Sequence, residues 1–189
     1  MRPNGAFQPF NDTEPNRYPG IFSFAQSALG AASDIRILSF GCSTGEEVFS
    51  LRQYFPHAFI KGFDINPAIS CATAKSTEGE PSAAYDAIFC MPVLRHGSLG
   101  RPGVPRCDPL LRFDFARTVA DFERCLKPGG LLAICHSNFR LCDAPAGDAF
   151  ETVLRMTWAR QKTPIFGPDN RQMEGLDYPD TVFRKREKH

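Results

Sequence analysis

The residues whose spacing carries most chemistry are Ser39-Phe40-Gly41-Cys42-Ser43-Thr44-Gly45 and, about twenty positions on, Asp64. Gly41 and Gly45 let a backbone turn sharply and approach a ligand with no Cβ in the way. A carboxylate that closes the following strand stands at about the separation from which it accepts hydrogen bonds from ribose hydroxyls. Loop and acid together describe one nucleoside site. Glu46 and Glu47 come directly after the loop, where carboxylates also favour the positive end of a helix macrodipole.

Other groups lie where they can serve that site. His96 and His136 follow two later apolar runs and are candidate general bases, each with a plain alternative as a histidine bonded to a loop carbonyl. Asn138 and Arg140 could orient an acceptor or simply form a turn. Arg17 and Tyr18 precede the first helix and could close over a ligand. Arg95, Arg101 and Arg106 could recognise an acidic acceptor, and Trp158 reads as a core residue.

Elements must position these residues. Ile21, Phe22, Ala25 and Leu29 share one helical face, and Gly30 ends that helix. Ile35 to Phe40 is a β-branched, apolar run that stops at the glycine loop and reads as a buried strand. Val48, Leu51 and Phe55 then repeat at helical spacing. Phe59 to Asp64 is the next strand, and Asn66-Pro67 suits the start of a helix through about Lys75. After the polar stretch Ser76 to Ala84, Tyr85 to Cys90 is a third strand.

His96 to Pro109 carries three glycines and three prolines and reads as an exposed loop. Phe113 to Leu126 is an amphipathic helix, broken at Lys127-Pro128-Gly129-Gly130 before the strand Leu131 to Cys135. Phe150 to Ala159 is expected to be a helix and Thr181 to Arg184 a last strand. Short buried strands alternating with helices predict an α/β fold, a mostly parallel twisted sheet with helices on both faces. Residues 1–19 read as an arm and 20–189 as one domain.

The 189 residues, 42% of them hydrophobic, suffice for one sizeable core. A net charge of +1 gives no global pull toward polyanions, and the short basic tail Arg184 to His189 comes without any RNA-binding motif, so no nucleic-acid partner is expected. Seven cysteines without a C-x-x-C pair read as reduced, buried thiols, with no metal site. The polar start, Met1 to Asn16, lacks a signal-peptide centre. No apolar run nears the roughly 20 residues that span a bilayer, so the expectation is a cytoplasmic chain with no membrane partner.

On these residues the sequence resembles class I S-adenosylmethionine (SAM)-dependent methyltransferases. Gly41-Cys42-Ser43-Thr44-Gly45-Glu46-Glu47 is especially similar to the loop of chemotaxis receptor methyltransferases. Asp64 stands where that family's ribose-binding acid stands. Tyr85 to Cys90 resembles its fourth strand, and Leu126 to Leu132 the turn before its fifth. The resemblance runs from about Ile35 to Ile134 and implies a Rossmann-like fold with SAM as cofactor. It implies that Gly41, Cys42, Ser43, Thr44 and Gly45 hold the methionine portion and that Asp64, with its neighbour Ile65, holds the ribose. Cys90 and Met91 would line the transfer site, Glu46 or Glu47 would meet the amino group, and Arg17 the methionine carboxylate. His136 or His96 would serve an acceptor that is a small molecule or a protein, not identified.

Two departures stand out. The family's third strand is shortened or missing between Asp64 and Tyr85, and the segment after Leu132 is too short for a large substrate domain. They leave open a compact enzyme or a non-catalytic relative that keeps the fold for binding. Two other classes use similar residues. Gly41-x-Ser43-x-Gly45 also spells an α/β-hydrolase elbow, with a triad imaginable from Ser43, Asp108 or Asp143, and His136. It follows the first recognisable strand, too early for an elbow. A nicotinamide Rossmann enzyme would want glycine at Ser43 and its third glycine one residue beyond Gly45.

Overall fold

Strand β1, Arg36–Phe40, organises the molecule: Ile37 and Leu38 are fully buried on opposite faces, as in a strand covered on both sides. The computed structural model describes residues 13–30, 32, 34–64, 77–100, 103–157 and 163–187. The expected helix over 66–75, Ile65, Arg101, Trp158 and Cys71 lie outside the described residues.

Helix α1 spans Pro19–Leu29, α2 Glu46–Tyr54 and α3 Pro109–Cys125. The other strands are β2 (Phe59–Phe63), β3 (Tyr85–Cys90), β4 (Leu126–Ile134), β5 (Phe150–Arg155) and β6 (Asp180–Lys185). They form one mixed sheet in the order β2-β1-β3-β4-β6-β5. β2, β1, β3 and β4 are parallel, while β6 runs antiparallel to both neighbours. The chain steps outward from β1 to β2 and then crosses back over β1 to β3. At such a switch point the loops beyond the strand ends diverge and leave a crevice. Here the switch point lies between β1 and β3, beyond Phe40 and Cys90.

Side-chain alternation builds a core on each face. On one, Ile37, Ala87, Phe89 and Ala133 meet Ile21, Phe22 and Ala25 of α1 and Leu51 of α2. On the other, Leu38, Ile88, Cys90 and Leu132 meet Phe115, Val119 and Phe122 of α3. The result is an α/β sandwich with helices on both faces, as the alternation of runs predicts.

Several local expectations change. Phe150–Arg155 is an edge strand, not the start of a helix. Thr152 pairs with Phe183 and Leu154 with Val182 of β6, and that long-range ladder overrides the local pattern. Lys127-Pro128-Gly129-Gly130 is no break, because β4 begins where α3 ends. Gly129 takes φ +77°, and a Cβ on Gly130 would press on the Lys127 and Asp86 carbonyl oxygens at 2.9 and 3.1 Å. Helix α3 starts four residues before Phe113, since Asp108 caps it by accepting from Leu110 N at 2.9 Å and Pro109 suits its first position.

The expected exposed loop after His96 contains a 3-10 turn, Gly97–Gly100, and buries Leu99 and Cys107. The basic tail is not wholly solvated. Lys185 is buried, pairs with the Glu123 carboxylate at 2.9 Å and donates to the Leu126 carbonyl at 3.0 Å. Of the described cysteines Cys142 alone is exposed, and all six are free thiols. Among the described residues no helix is long and apolar enough to cross a membrane.

Candidate functional site

The glycine loop leaves β1 and folds onto the end of β2. Gly41 N and Cys42 N both donate to the Phe63 carbonyl, at 2.7 and 2.9 Å, and Gly45 N donates to Cys42 O at 2.9 Å. Ser43, at φ +48°, donates its N–H to Asp64 Oδ2 at 2.9 Å. Loop and acid, 21 residues apart in the chain, are thus in direct contact at the switch point. Gly45 takes φ +103° and opens α2, and Thr44, exposed, donates its hydroxyl to the Glu46 carboxylate.

Gly41 is glycine for a different reason from the one its spacing suggests. At φ +79° its missing Cβ would collide with both methyls of Val93, from the loop after β3. A protein side chain fills that space, and nothing in the pattern of the loop itself signals Val93.

Behind the loop lies a buried polar cluster. Glu47, in the first turn of α2, points inward and accepts from Ser39 Oγ of β1 at 2.6 Å. Burial pushes its carboxyl up to about 7, against the opposing pull of the Ser39 hydrogen bond. The Cys90 thiol is raised well above its usual range, chiefly by burial and then by the Glu47 charge. Burial likewise raises the Tyr18 phenol and the Cys135 thiol, which lie within reach of one another and of the charges of Glu47 and Arg17. Arg17, Tyr18, Glu47, Cys90 and Cys135 therefore converge from four separate elements. Met91 is buried beside them and Cys42 beneath the loop.

His136 borders this cluster, its ring centroid 6.4 Å from that of Tyr18. Desolvation lowers its pKa to about 4, helped by the positive charges of Arg95 and Arg17. The imidazole is neutral at ordinary pH and so serves as a hydrogen-bonding group, and it is a weak base. His96 turns to its own loop instead: Nδ1 lies 2.5 Å from Ser98 Oγ and accepts from Ser98 N at 3.3 Å, which places the ring proton on Nε2.

Two residues expected to orient an acceptor have structural work. Asn138, fully buried, accepts from His96 N at 2.6 Å and donates to Pro164 O at 2.8 Å. Arg140 holds Asp143 through Nε and Nη2, at 2.9 and 2.7 Å. That pair, with Asp108 spent on capping α3, leaves neither carboxylate to orient His136, so the hydrolase triad is not assembled. A dinucleotide site fares no better. The N–H groups of Gly41, Cys42, Ser43 and Gly45 all have acceptors within the protein, whereas a pyrophosphate cradle presents such groups to the ligand.

No family model matches the sequence, and a search of curated proteins finds no match. Solved structures are similar over part of their length. The cyclase SpnF gives a TM-score of 0.45 at 16% identity, over 71% of this chain and 51% of its own. A putative type II methyltransferase from Anaeromyxobacter dehalogenans gives 0.42 at 19% identity, over 65% of this chain and 48% of its own. Phosphoethanolamine N-methyltransferase 2 of Haemonchus contortus gives 0.47 at 15% identity, over 66% and 29%. This chain spans about half the length of the first two and under a third of the last. The α/β assignment stands on the strand order itself.

Proposed function

We propose that this chain is a class I SAM-dependent methyltransferase, with the crevice beyond β1 and β3 as its cofactor site. One observation carries the reading: Ser43 N–H meets Asp64 Oδ2 at 2.9 Å, so glycine loop and acid act as one wall, with the loop amides turned inward. A carboxylate for ribose hydroxyls, a guanidinium for a carboxylate and no phosphate cradle suit a nucleoside joined to an amino acid without phosphates.

SAM supplies a methyl group activated on a sulfonium. The chain's own residues bind, align and exclude water, which is most of what an in-line displacement requires. Asp64 receives the ribose hydroxyls, Arg17 the carboxylate and Glu46 the amino group, with Ser43 and Thr44 closing over the chain between. Cys90 and Met91, both buried, keep the end of β3 dry. His136, held neutral, accepts a hydrogen bond from the acceptor.

Calorimetric titration with SAM, its demethylated product and NAD tests this. SAM and the product should bind and NAD should not, and Asp64→Ala should weaken SAM by more than about tenfold, the scale of a charged hydrogen bond. Unchanged SAM affinity in a folded Asp64→Ala variant would overturn the site.

A further inference from the structure

Beyond the end of β4, on the side away from β3, lies a recess of about 40 Å³ bordered by Cys135, His136, Thr163, Asp177, Asp180 and Thr181, among others. That volume admits a head group of a few heavy atoms and no more. His136 and Cys135 belong both to this recess and to the cluster behind the glycine loop, so the two spaces adjoin at these residues.

The lining is polar and carries negative charge. Asp180 is paired with Arg155, Nε to Oδ1 at 2.7 Å, while Asp177 has no ion pair or hydrogen bond among the described residues. Thr163 Oγ1 is shut off from solvent with no partner among the described residues, a group that a donor or acceptor in the recess would satisfy. Tyr178 is committed elsewhere, its hydroxyl accepting from Leu141 N at 3.2 Å. The cations that reach His136 are Arg95, from the loop after β3, and Arg17, ahead of α1, whereas both carboxylates enter from the β6 side.

We propose that this recess holds the nitrogen of a small amine that accepts the methyl group. The proposal rests on the methyltransferase reading and names its substrate class. An amine must first give up its ammonium proton to solvent; the freed lone pair then forms the new N–C bond as the methyl carbon leaves the sulfonium sulfur, which keeps the C–S pair. No proton moves in the transfer itself, and one positive charge passes from sulfur to nitrogen. Asp180, held by Arg155, and the exposed Asp177 beside it put carboxylate charge near the nitrogen where the positive charge appears. A neutral His136 accepts from an amine N–H and aligns the lone pair. A negatively charged acceptor would meet Asp177 and Asp180 unfavourably.

Propylamine, 1-propanol and propionate share one carbon skeleton and separate the head groups. With the demethylated product bound, saturation-transfer NMR should show binding of propylamine and of neither other probe. With SAM, mass spectrometry should find N-methylpropylamine alone. Asp177→Asn should lower kcat/KM for the amine by about tenfold or more, the scale of a charged hydrogen bond, with SAM affinity and melting temperature unchanged. Preference for propanol or propionate, or full amine turnover in Asp177→Asn, would overturn the amine site while leaving the cofactor reading intact. Failure to bind SAM at all would remove both.

Discussion

Ser39 Oγ donates to Glu47 Oε1 at 2.6 Å, tying the buried middle of β1 to the first turn of α2. The carboxyl at that junction is raised to about 7, so the folded protein holds a proton that the unfolded chain releases near 4.5. Between those values the native state binds more protons than the unfolded one, and stability falls as pH rises. The loss should be complete a little above pH 7 and amount to something on the order of 3 kcal/mol. Glu47→Gln should flatten that slope and melt higher than the parent at pH 8, as read by thermal unfolding at pH 5 and pH 8.

His136 contributes the opposite slope. Its pKa is depressed to about 4, so between about 6.5 and 4 the unfolded chain binds the extra proton and stability drops as pH falls. His136→Asn should remove this acid-side loss. Asparagine is the right replacement because position 136 sits at φ +54°, a conformation it tolerates. Denaturant midpoints at pH 4.5 and 7 give the comparison, and an equal drop in both proteins would dismiss the assignment.

Gly41→Ala should cost about 1–3 kcal/mol, since the new methyl enters the space of Val93. Adding Val93→Ala should restore the steric part and leave the part owed to φ +79°. A double-mutant cycle in urea measures the coupling, and strict additivity would show that the two side chains do not compete.

Asn138→Ala strips His96 N–H and Pro164 C=O of their partners inside the protein, at about 1–3 kcal/mol for each group left unpaired. Asn138→Asp keeps the acceptor for His96 but buries a carboxylate against the Pro164 carbonyl oxygen, and should cost at least as much as the alanine. Urea midpoints rank the three proteins.

The contact between glycine loop and acid was legible because both parts are local. Gly41 to Gly45 and Asp64 sit at a strand end and its neighbour's end, so period and punctuation alone put them near one another. Val93, Ser39 as the partner of Glu47, and the recess at Thr163 and Asp177 gave no such signal, since each acts through contact with residues far along the chain. The helix expected from Phe150 failed for the same reason: its strand exists by pairing with Asp180–Lys185, some thirty positions later.

The amino-acid order by itself determined the alternation of buried strands and helices, the sharp loop after β1 and the acid that follows, because each depends on periodicity or backbone freedom within a dozen residues. Only tertiary structure decided that Glu47 turns inward, that His136 stays neutral, and that Asn138 and Arg140 brace the fold. Burial and partner choice set those properties, and both come from elements that meet only when the sheet is assembled.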